Sequence, residues 1–222
     1  MQPNLQLFYL STFPRLYSSK DKHINMYTST DHSCIVCCES CTLRCPTCKS
    51  AYYCSRKCQK NDWSTHKSFC AAYASFSLSS RPSSQHLRVC FFPADSDRPE
   101  MVWVPWKLHK DEDGQYRLPE FDPTLGLDGS LVIRRNATLN RNLSNTLNVY
   151  HRDAFLIDGS ASNKSILALL ATKPEQQHDW RGPIVAISRR GPALDPPEGR
   201  DIDIEDLRHI SDYFLSYDAQ DS

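Results

Sequence analysis

Eight residues between Cys34 and Cys70 have the types and the spacing of a protein metal site. They form four pairs in the order Cys34-x2-Cys37, Cys45-x2-Cys48, Cys54-x3-Cys58 and His66-x3-Cys70. Cysteine thiolate and histidine nitrogen are the usual ligands of structural zinc, which binds four of them in a tetrahedron. Eight ligands are enough for two closed sites, and a site without an open coordination position favours a structural role over a catalytic one.

Disulfide bonds are the alternative use for so many cysteines. Nine of the ten cysteines lie between residues 34 and 70. Their grouping into CxxC pairs, with a histidine at ligand spacing, favours zinc in a reducing compartment. We therefore predict two Zn²⁺ ions per chain and an intracellular protein, located in the nucleus or the cytoplasm. The remaining cysteine, Cys90, is expected to be a small buried residue.

One helix is expected to carry the second half of this ligand set. Ser55 can cap a helix that runs through Cys58 toward Phe69. His66 and Cys70 are four residues apart and therefore share one face near the end of this helix. Because Cys58 lies near the start of the same helix, a single helix would serve two metals, and the two sites must be interleaved.

The order and spacing of the eight ligands resemble the MYND zinc finger, as do Tyr53 directly before Cys54 and the polar helix before His66. The resemblance covers residues 34–70 and implies a small cross-braced fold around two zinc ions. The first zinc would be held by Cys34, Cys37, Cys54 and Cys58. The second would be held by Cys45, Cys48, His66 and Cys70.

A further CxxC pair, Cys38 and Cys41, could compete with Cys34 and Cys37 for the first zinc. Seven residues separate Cys37 from Cys45, whereas three separate Cys41 from Cys45. The longer gap fits the family better, so Cys34 and Cys37 are the favoured ligands.

The chain as a whole is divided into five parts. We predict a polar, disordered leader at 1–33, in which Met26 is an alternative start, and the finger at 34–70. A Ser-rich linker at 71–85, a mixed α+β domain of unassigned fold at 86–217 and a tail at 218–222 follow. The apolar stretch of the leader is too short to cross a membrane, so no membrane partner is predicted.

Within the α+β domain, short apolar runs predict strands at 86–92, 101–106, 131–135, 147–150, 154–157 and 183–189. Pro105 places the second of these at a sheet edge. A helix is expected at 162–170 with Ser162 as its N-cap, and another at 204–217, where Asp203 and Asp206 resemble a capping box. The acidic residues of the last helix are expected to face solvent. Five aromatic residues are expected to form the core of this domain or a groove on it: Trp103, Trp106, Tyr116, Phe121 and Trp180.

The charge distribution does not favour nucleic-acid binding. The formal net charge is zero, and residues 34–70 carry six Lys or Arg against two Asp or Glu. Seven thiolates and two Zn²⁺ ions would add about −3, which leaves this segment near +1. The basic residues are therefore interpreted as charge balance on a solvated face: Lys49, Arg56, Lys57, Lys60 and Lys67.

The favoured function is a protein-interaction adaptor. The resemblance implies binding to other proteins, often through short proline-containing peptides, in transcriptional or chromatin-associated complexes. Tyr52, Tyr53 and Trp63 are candidate wall residues, although Tyr53 and Trp63 are expected to pack inside the finger instead.

Two alternatives remain, a relative of SET-type lysine methyltransferases and a direct DNA-binding regulator. Some SET enzymes carry a MYND finger, but their Asn-His motif and Gly-rich cofactor segment are absent here, as are other catalytic signatures. We therefore predict that the protein is not an enzyme. The scattered histidines are expected to lie on the surface: His109, His151, His178 and His209.

Overall fold

The computed structural model describes residues 32–112, 114–171, 178–191 and 198–217. Nearly all of the predicted leader, including Met26, and the whole predicted tail lie outside these residues. The described residues belong to one compact unit. No helix among the described residues has the length and apolar character needed to cross a membrane.

The first part of this unit is a two-stranded sheet followed by a long helix. Strand β1 (Leu43–Arg44) pairs antiparallel with β2 (Tyr52–Tyr53). Helix α1 (Arg56–Ser75) begins where the Ser55 side chain accepts a hydrogen bond from the Cys58 backbone N–H, as predicted. The helix continues for five residues beyond Cys70, so its last turn lies inside the segment predicted as a linker.

The rest of the predicted linker packs against the α+β region. A 3₁₀ helix (Leu78–Ser80) follows α1, and Ser80 Oγ accepts a hydrogen bond of 3.1 Å from Trp103 Nε1. The Arg81 guanidinium lies 4.3 Å from the centre of the Trp103 ring and forms an ion pair with Asp201. A segment with these contacts is a packed connection, and its serines form local hydrogen bonds with one another.

A curled antiparallel sheet forms the centre of the unit. Its strands are β3 (His86–Phe92), β4 (Glu100–Asp111), β5 (Gly114–Pro119), β6 (Gly129–Asn136), β7 (Arg141–His151), β8 (Ile184–Arg189) and β9 (Gly199–Arg200). They lie in the order β5-β4-β3-β8-β7-β6, and β9 pairs with β8. The predicted strands at 86–92, 131–135 and 147–150 fall within these elements, and the one predicted at 183–189 begins one residue before β8.

Pro105 was expected on an edge strand, but β4 lies between β5 and β3 in the strand order. Residues 100–105 of β4 pair with β3, and residues 106–111 pair with β5. Pro105 therefore lies where one partner strand ends and the other begins. Its missing N–H is tolerated there because, among the described residues, residues 100–105 pair with β3 alone, so this part of β4 has the one-sided pairing of an edge strand.

Helices α2 (Lys164–Leu170) and α3 (Ile204–Leu215) complete the fold. The N-cap of α2 is Asn163 and not Ser162, which instead forms an isolated bridge with Arg181. The capping box of α3, formed by Asp203 and Asp206, is present as predicted.

The strand predicted at 154–157 is wrong. This segment is a hydrogen-bonded turn, in which the backbone N–H groups of Ile157 and Asp158 both donate to the Ala154 carbonyl at 2.9 Å. Its apolar residues do not alternate between two faces: the ring of Phe155 packs on Trp180, whereas Ile157 is exposed.

The side chains on the two faces of the sheet pack into two separate hydrophobic clusters. On one face Phe92 contacts Phe69 of α1 and Phe214 of α3, with ring centres 6.2 and 5.3 Å apart. On the other face a smaller cluster gathers around Trp106 and Phe121. Cys90 is fully buried on the first face, as predicted. The finger and the sheet therefore share one continuous core.

Candidate metal centres

The eight sequence-predicted ligands form two clusters in the structure. The first contains Cys34, Cys37, Cys54 and Cys58, and the second contains Cys45, Cys48, His66 and Cys70. Within each cluster the ligand atoms lie within 4.8 Å of one another. Each cluster takes alternate pairs along the chain, which is the cross-braced arrangement that the resemblance implies.

The distances between ligand atoms fit zinc. Two sulfurs bound to one tetrahedral zinc at about 2.3 Å lie about 3.8 Å apart. In the first cluster Cys37 Sγ lies 3.3 Å from Cys54 Sγ and 3.8 Å from Cys58 Sγ. In the second, Cys45 Sγ lies 3.7 Å from Cys70 Sγ and 3.4 Å from His66 Nε2. All ten cysteines are free thiols, so the clusters are positioned to bind two zinc ions.

Two matching backbone turns present the CxxC pairs. The N–H of Cys38 donates to the Cys34 carbonyl at 2.8 Å, and the N–H of Lys49 donates to the Cys45 carbonyl at 3.1 Å. In both turns the residue after the second cysteine has a positive φ, 64° at Cys38 and 53° at Lys49. The backbone of Cys38 therefore adopts the left-handed conformation that this turn requires, and its thiol lies outside the ligand cluster.

Cys41 is also outside both clusters. Its Sγ donates to the carbonyl of His32 at 3.1 Å, and its backbone N–H donates to the same oxygen. Cys34 and Cys37 are therefore the residues placed in the first cluster, as the spacing favoured. The other CxxC pair, Cys38 and Cys41, has a local structural role.

Burial and hydrogen bonding prepare the ligands for a metal. Burial lowers the pKa of His66, against the opposing effect of the Asp62 carboxylate, and so favours the neutral imidazole that binds zinc. Burial acts to raise the pKa of the Cys34 thiol, but backbone N–H groups, first that of Cys54, lower it to about 7. Burial raises the pKa of Cys70 to about 12. Ionising that thiol requires a cation at the centre of the cluster.

A buried carboxylate connects the second cluster to the rest of the molecule. Asp62 is fully buried on α1, and its Oδ2 accepts a hydrogen bond of 2.6 Å from the Tyr53 hydroxyl. The same oxygen lies 3.9 Å from His66 Nδ1. A carboxylate behind a histidine ligand orients the imidazole and increases its basicity.

The partner of Asp62 comes from the last helix. Arg208 Nη1 donates to Asp62 Oδ1 at 2.5 Å, and Arg208 Nε donates to Asp212 Oδ2 at 2.8 Å. Asp212 Oδ2 also accepts from Asn136 Nδ2 at 2.8 Å. The side chain of Arg208 is only 10% exposed. A hydrogen-bonded path therefore runs from Asp62, beside the candidate ligand His66, into α3 and the sheet.

Two of the three acidic residues of α3 are not on the solvated face that was expected, whereas Glu205 is exposed as expected. Asp206 and Asp212 are each 3% exposed. Asp206 accepts from Arg200 Nη1 at 2.7 Å, and Asp212 is paired with Arg208. The helix is buried almost all round, because α1 covers one side and the sheet another. Its acids are the counter-charges of buried arginines.

Arg141 forms a second connection between the finger and the domain. Its Nη2 donates to the Ile35 carbonyl at 3.1 Å and to Glu205 Oε1 at 3.0 Å, and its Nη1 contacts the sulfur of Cys38. His209, predicted on the surface, is 5% exposed and lies 3.3 Å from Arg141 Nη2. His151 is likewise buried at 7% exposure.

Two of the three candidate wall residues are available to a partner. Tyr53 is 1% exposed, so its expected place in the core is confirmed. Trp63, also expected in the core, is 54% exposed. Tyr52 is half-buried and stacks on His32 with ring centres 3.6 Å apart. The five basic residues interpreted as a solvated face are all exposed: Lys49, Arg56, Lys57, Lys60 and Lys67.

The connecting residues had weak sequence signals. Asp62 could have been singled out as one of only two acids in the finger, and its position four residues before His66 places it on the ligand face of α1. Arg208 and Arg141 carry no such signal, because any arginine of an exposed helix or strand has the same local pattern.

Comparison with known proteins supports the assignment of this segment. The sequence model of the MYND finger family matches residues 34–70. The zinc finger MYND domain-containing protein 10 homolog of Drosophila melanogaster is 38% identical over 56 residues, covering 25% of this chain and 12% of that protein. N-lysine methyltransferase SMYD2 of Gallus gallus is 42% identical over 52 residues, covering 21% and 12%. Tudor domain-containing protein 1 of Mus musculus is 55% identical over 29 residues, covering 13% and 2%.

Each of these matches covers a quarter of this chain or less. The chain spans only 12% of the length of the first two relatives, and no solved structure matches it. The α+β region keeps an unassigned fold. Ligand order, cluster geometry and family match agree over the same residues, so residues 34–70 of this chain are a MYND-type zinc finger.

Proposed function

We propose that the protein is an adaptor whose zinc finger binds short proline-containing peptides of partner proteins through the exposed indole of Trp63. MYND fingers are generally protein-interaction modules, which is the starting point of the proposal. The observation that carries it is the 54% exposure of a tryptophan on the outer face of α1. Tryptophan is among the residues most enriched at the energetic centres of interfaces.

The surroundings of Trp63 suit a peptide ligand. Trp63, Gln59 and Lys60 line an open depression of about 270 Å³ on the surface of α1. A flat aromatic face can pack against proline rings, and the indole N–H can donate to a peptide carbonyl. Gln59 and Lys60 add flexible donors at the rim of the depression.

The finger offers this surface at low entropic cost. One face of α1 holds His66 and Cys70 in the second metal cluster, and Asp62 ties the same helix to Arg208. Trp63 lies one turn before His66 on the same helix, with the two ring centres 6.1 Å apart, so its position is set before any partner binds. Preorganisation of this kind reduces the ordering cost of association.

Other parts of the proposal rest on the family resemblance and on the metal chemistry. Thiolate ligands are stable in a reducing compartment, which supports a location in the nucleus or the cytoplasm. Membership of transcriptional or chromatin-associated complexes is proposed from the resemblance alone.

The test compares two exposed side chains on the same chain. Fluorescently labelled proline-containing peptides are titrated with the zinc-loaded protein, and binding is followed by fluorescence polarisation. We expect Trp63→Ala to weaken binding at least about tenfold, in line with the loss of an interface anchor. The matched control is Leu78→Ala, since Leu78 is also 54% exposed but lies beyond α1. Equal peptide affinity of the Trp63→Ala variant and the wild-type protein would contradict the proposal.

We also propose that the chain is not an enzyme. The match to the lysine methyltransferase SMYD2 covers the finger segment and 12% of that protein, and the methyl-transfer motifs are absent from the sequence. Incubation with labelled S-adenosylmethionine and histone or non-histone protein substrates is expected to transfer no label. Transfer of label would restore the methyltransferase alternative.

A further inference from the structure

The turn at residues 153–158, which we call the knob, exposes two aliphatic side chains. Leu156 is 55% exposed and Ile157 is 88% exposed. An isolated exposed aliphatic residue is common in proteins, but two adjacent ones at the tip of an ordered turn are a feature of interaction surfaces. Because Ile157 is almost fully exposed, the knob does not occupy a groove of its own chain.

Hydrogen bonds hold the knob in one conformation. The N–H groups of Ile157 and Asp158 donate to the Ala154 carbonyl at 2.9 Å. At the base of the turn, Asp153 N–H donates to Asp128 Oδ1 at 2.7 Å. The ring of Phe155 stacks on Trp180, with ring centres 5.9 Å apart. Such a turn can insert into a partner without a large ordering cost.

The knob is bordered by negative charge. Asp158 is balanced by Arg152, whose Nη1 lies 3.6 Å from the carboxylate. Asp128 and Asp153 are both exposed and form no ion pair within the described part of the chain. Two acidic groups therefore lie at the base of the knob, and neither is paired with a cation among the described residues.

A groove of complementary character lies on β6, the last strand at one edge of the sheet. It has a volume of about 320 Å³ and is lined by Val132, Ile133, Arg134, Arg135 and Tyr213. Val132 is 44% exposed and offers an aliphatic surface. Arg134 and Arg135 are both exposed. Arg135 donates to Asn140 Oδ1, and among the described residues neither arginine forms an ion pair.

We propose that the knob of one copy of this chain docks into the β6 groove of a second copy. The two exposed aliphatic side chains and the two acids of the knob match a groove that carries the exposed Val132 and two arginines. The contact joins different surfaces of the two copies, so a dimer closes when it forms twice, once in each direction. This homotypic contact does not depend on the zinc finger or on peptide binding.

The association is measured by sedimentation velocity of the full, zinc-loaded chain over a concentration series from micromolar to near-millimolar. We expect a concentration-dependent dimer that weakens as salt is added, because exposed charges are screened. Ile157→Ser, which removes the tip of the knob, and Arg134→Glu, which reverses a groove charge, should each raise the dissociation constant at least about tenfold. Leu108→Ser is the control, since Leu108 is 55% exposed on β4.

Mixing the two weakened variants tests the pairing itself. In a mixed dimer the knob of the Arg134→Glu chain meets the groove of the Ile157→Ser chain in one unchanged contact, and the second contact carries both changes. Because a contact that one change has already broken loses little more from the other, the mixed dimer should form more readily than a dimer of either variant alone. Fluorescent labelling of one variant makes this species visible. A wild-type chain that stays monomeric throughout the series would overturn the proposal, as would a mixture that behaves as the sum of its components.

Discussion

The zinc finger and the curled sheet obtain their structures from different sources. In the finger, 37 residues are held by two ligand clusters, and the segment is too small to be stabilised by burial alone. In the sheet, all six residues of β8 are buried, and stability comes from apolar burial spread over many strands. The comparison shows that a fixed spacing of ligands specifies the finger, whereas a distributed pattern specifies the sheet.

The two regions are nevertheless joined by shared interior contacts. Phe69 of the finger helix packs edge-on against Phe92 of β3, and Asp62 is paired with Arg208 of α3. Both contacts are buried. A substitution on the finger side of this junction should therefore change the stability of the sheet region, and the reverse. The size of the change measures how far the two regions depend on each other.

The largest effect is expected from loss of a zinc ligand. Cys48→Ala removes a buried ligand of the second cluster. Structural zinc contributes on the order of ten kcal/mol to the folding of small fingers, so the variant finger should unfold and the protein should lose at least one of its two zinc equivalents. Zinc content is measured by mass spectrometry of the metal, and folding by thermal denaturation.

The matched control for this change is Cys41→Ala. Cys41 belongs to the same cysteine-rich segment but lies outside both clusters, so this variant should retain two zinc equivalents. Limited proteolysis then shows whether the unfolding of the finger in Cys48→Ala also unfolds the sheet region. Cleavage within β3 or α3 of that variant is expected, and a protease-resistant 86–217 fragment would show that the sheet is independent of the finger.

A smaller effect is expected when the hydrophobic part of the junction is removed. Phe69 is 1% exposed, and replacement of a buried phenylalanine by alanine costs about 4 kcal/mol through lost transfer energy and the cavity left behind. Phe69→Ala should therefore lower the free energy of unfolding by this amount in urea denaturation. A change of less than about 1 kcal/mol would show that Phe69 is dispensable for the junction.

The ionic part of the junction is tested by a double-mutant cycle. Arg208→Met leaves the Asp62 carboxylate buried without its counter-charge, and breaking a buried pair in this way costs about 3 kcal/mol. Asp62→Asn should have a similar cost, because Arg208 then loses one of its two carboxylate partners. The double variant should be more stable than the sum of the two losses predicts. Additive losses would show that the two side chains are not energetically coupled.

The finger could be predicted from the sequence because each ligand is specified by its type and spacing. The eight ligands, their grouping and the Ser55 cap agree with the structure. Trp63 was misplaced, since an aromatic residue on a helix that carries ligands has the same sequence pattern whether it faces in or out. The angle at which α1 leaves the clusters decides its exposure, and spacing contains no information on that angle.

The sheet was predicted in pieces and not as a whole. Local alternation identified β3 and a continuous apolar run identified β8, but the pairing order depends on contacts between residues far apart in the chain. The acids of α3 were assigned to solvent because charged residues are rarely buried without a partner. Their partners, Arg200 and Arg208, lie on or near the same helix. Burial of the whole ion-paired set becomes evident only when α1 and the sheet cover it.

The smallest effect discriminates between two adjacent residues at the start of α2. Sequence reasoning assigned the cap to Ser162, but in the structure the fully buried Asn163 accepts from Ile166 N–H at 2.9 Å and donates to the Phe92 and Gly182 carbonyls. Asn163→Ala should cost about 2 kcal/mol, since it removes both a cap and two buried hydrogen bonds. Ser162→Ala should change the stability by less than about 0.5 kcal/mol, because that side chain is bonded only to an exposed aspartate. If urea denaturation showed a larger loss of stability for Ser162→Ala than for Asn163→Ala, Ser162 would be the N-cap.

Asn163 donates a hydrogen bond to β3, and β3 contacts Phe69. The loss of stability caused by Asn163→Ala should therefore be larger when Phe69 is also replaced. A non-additive pair would extend the finger–sheet junction as far as α2.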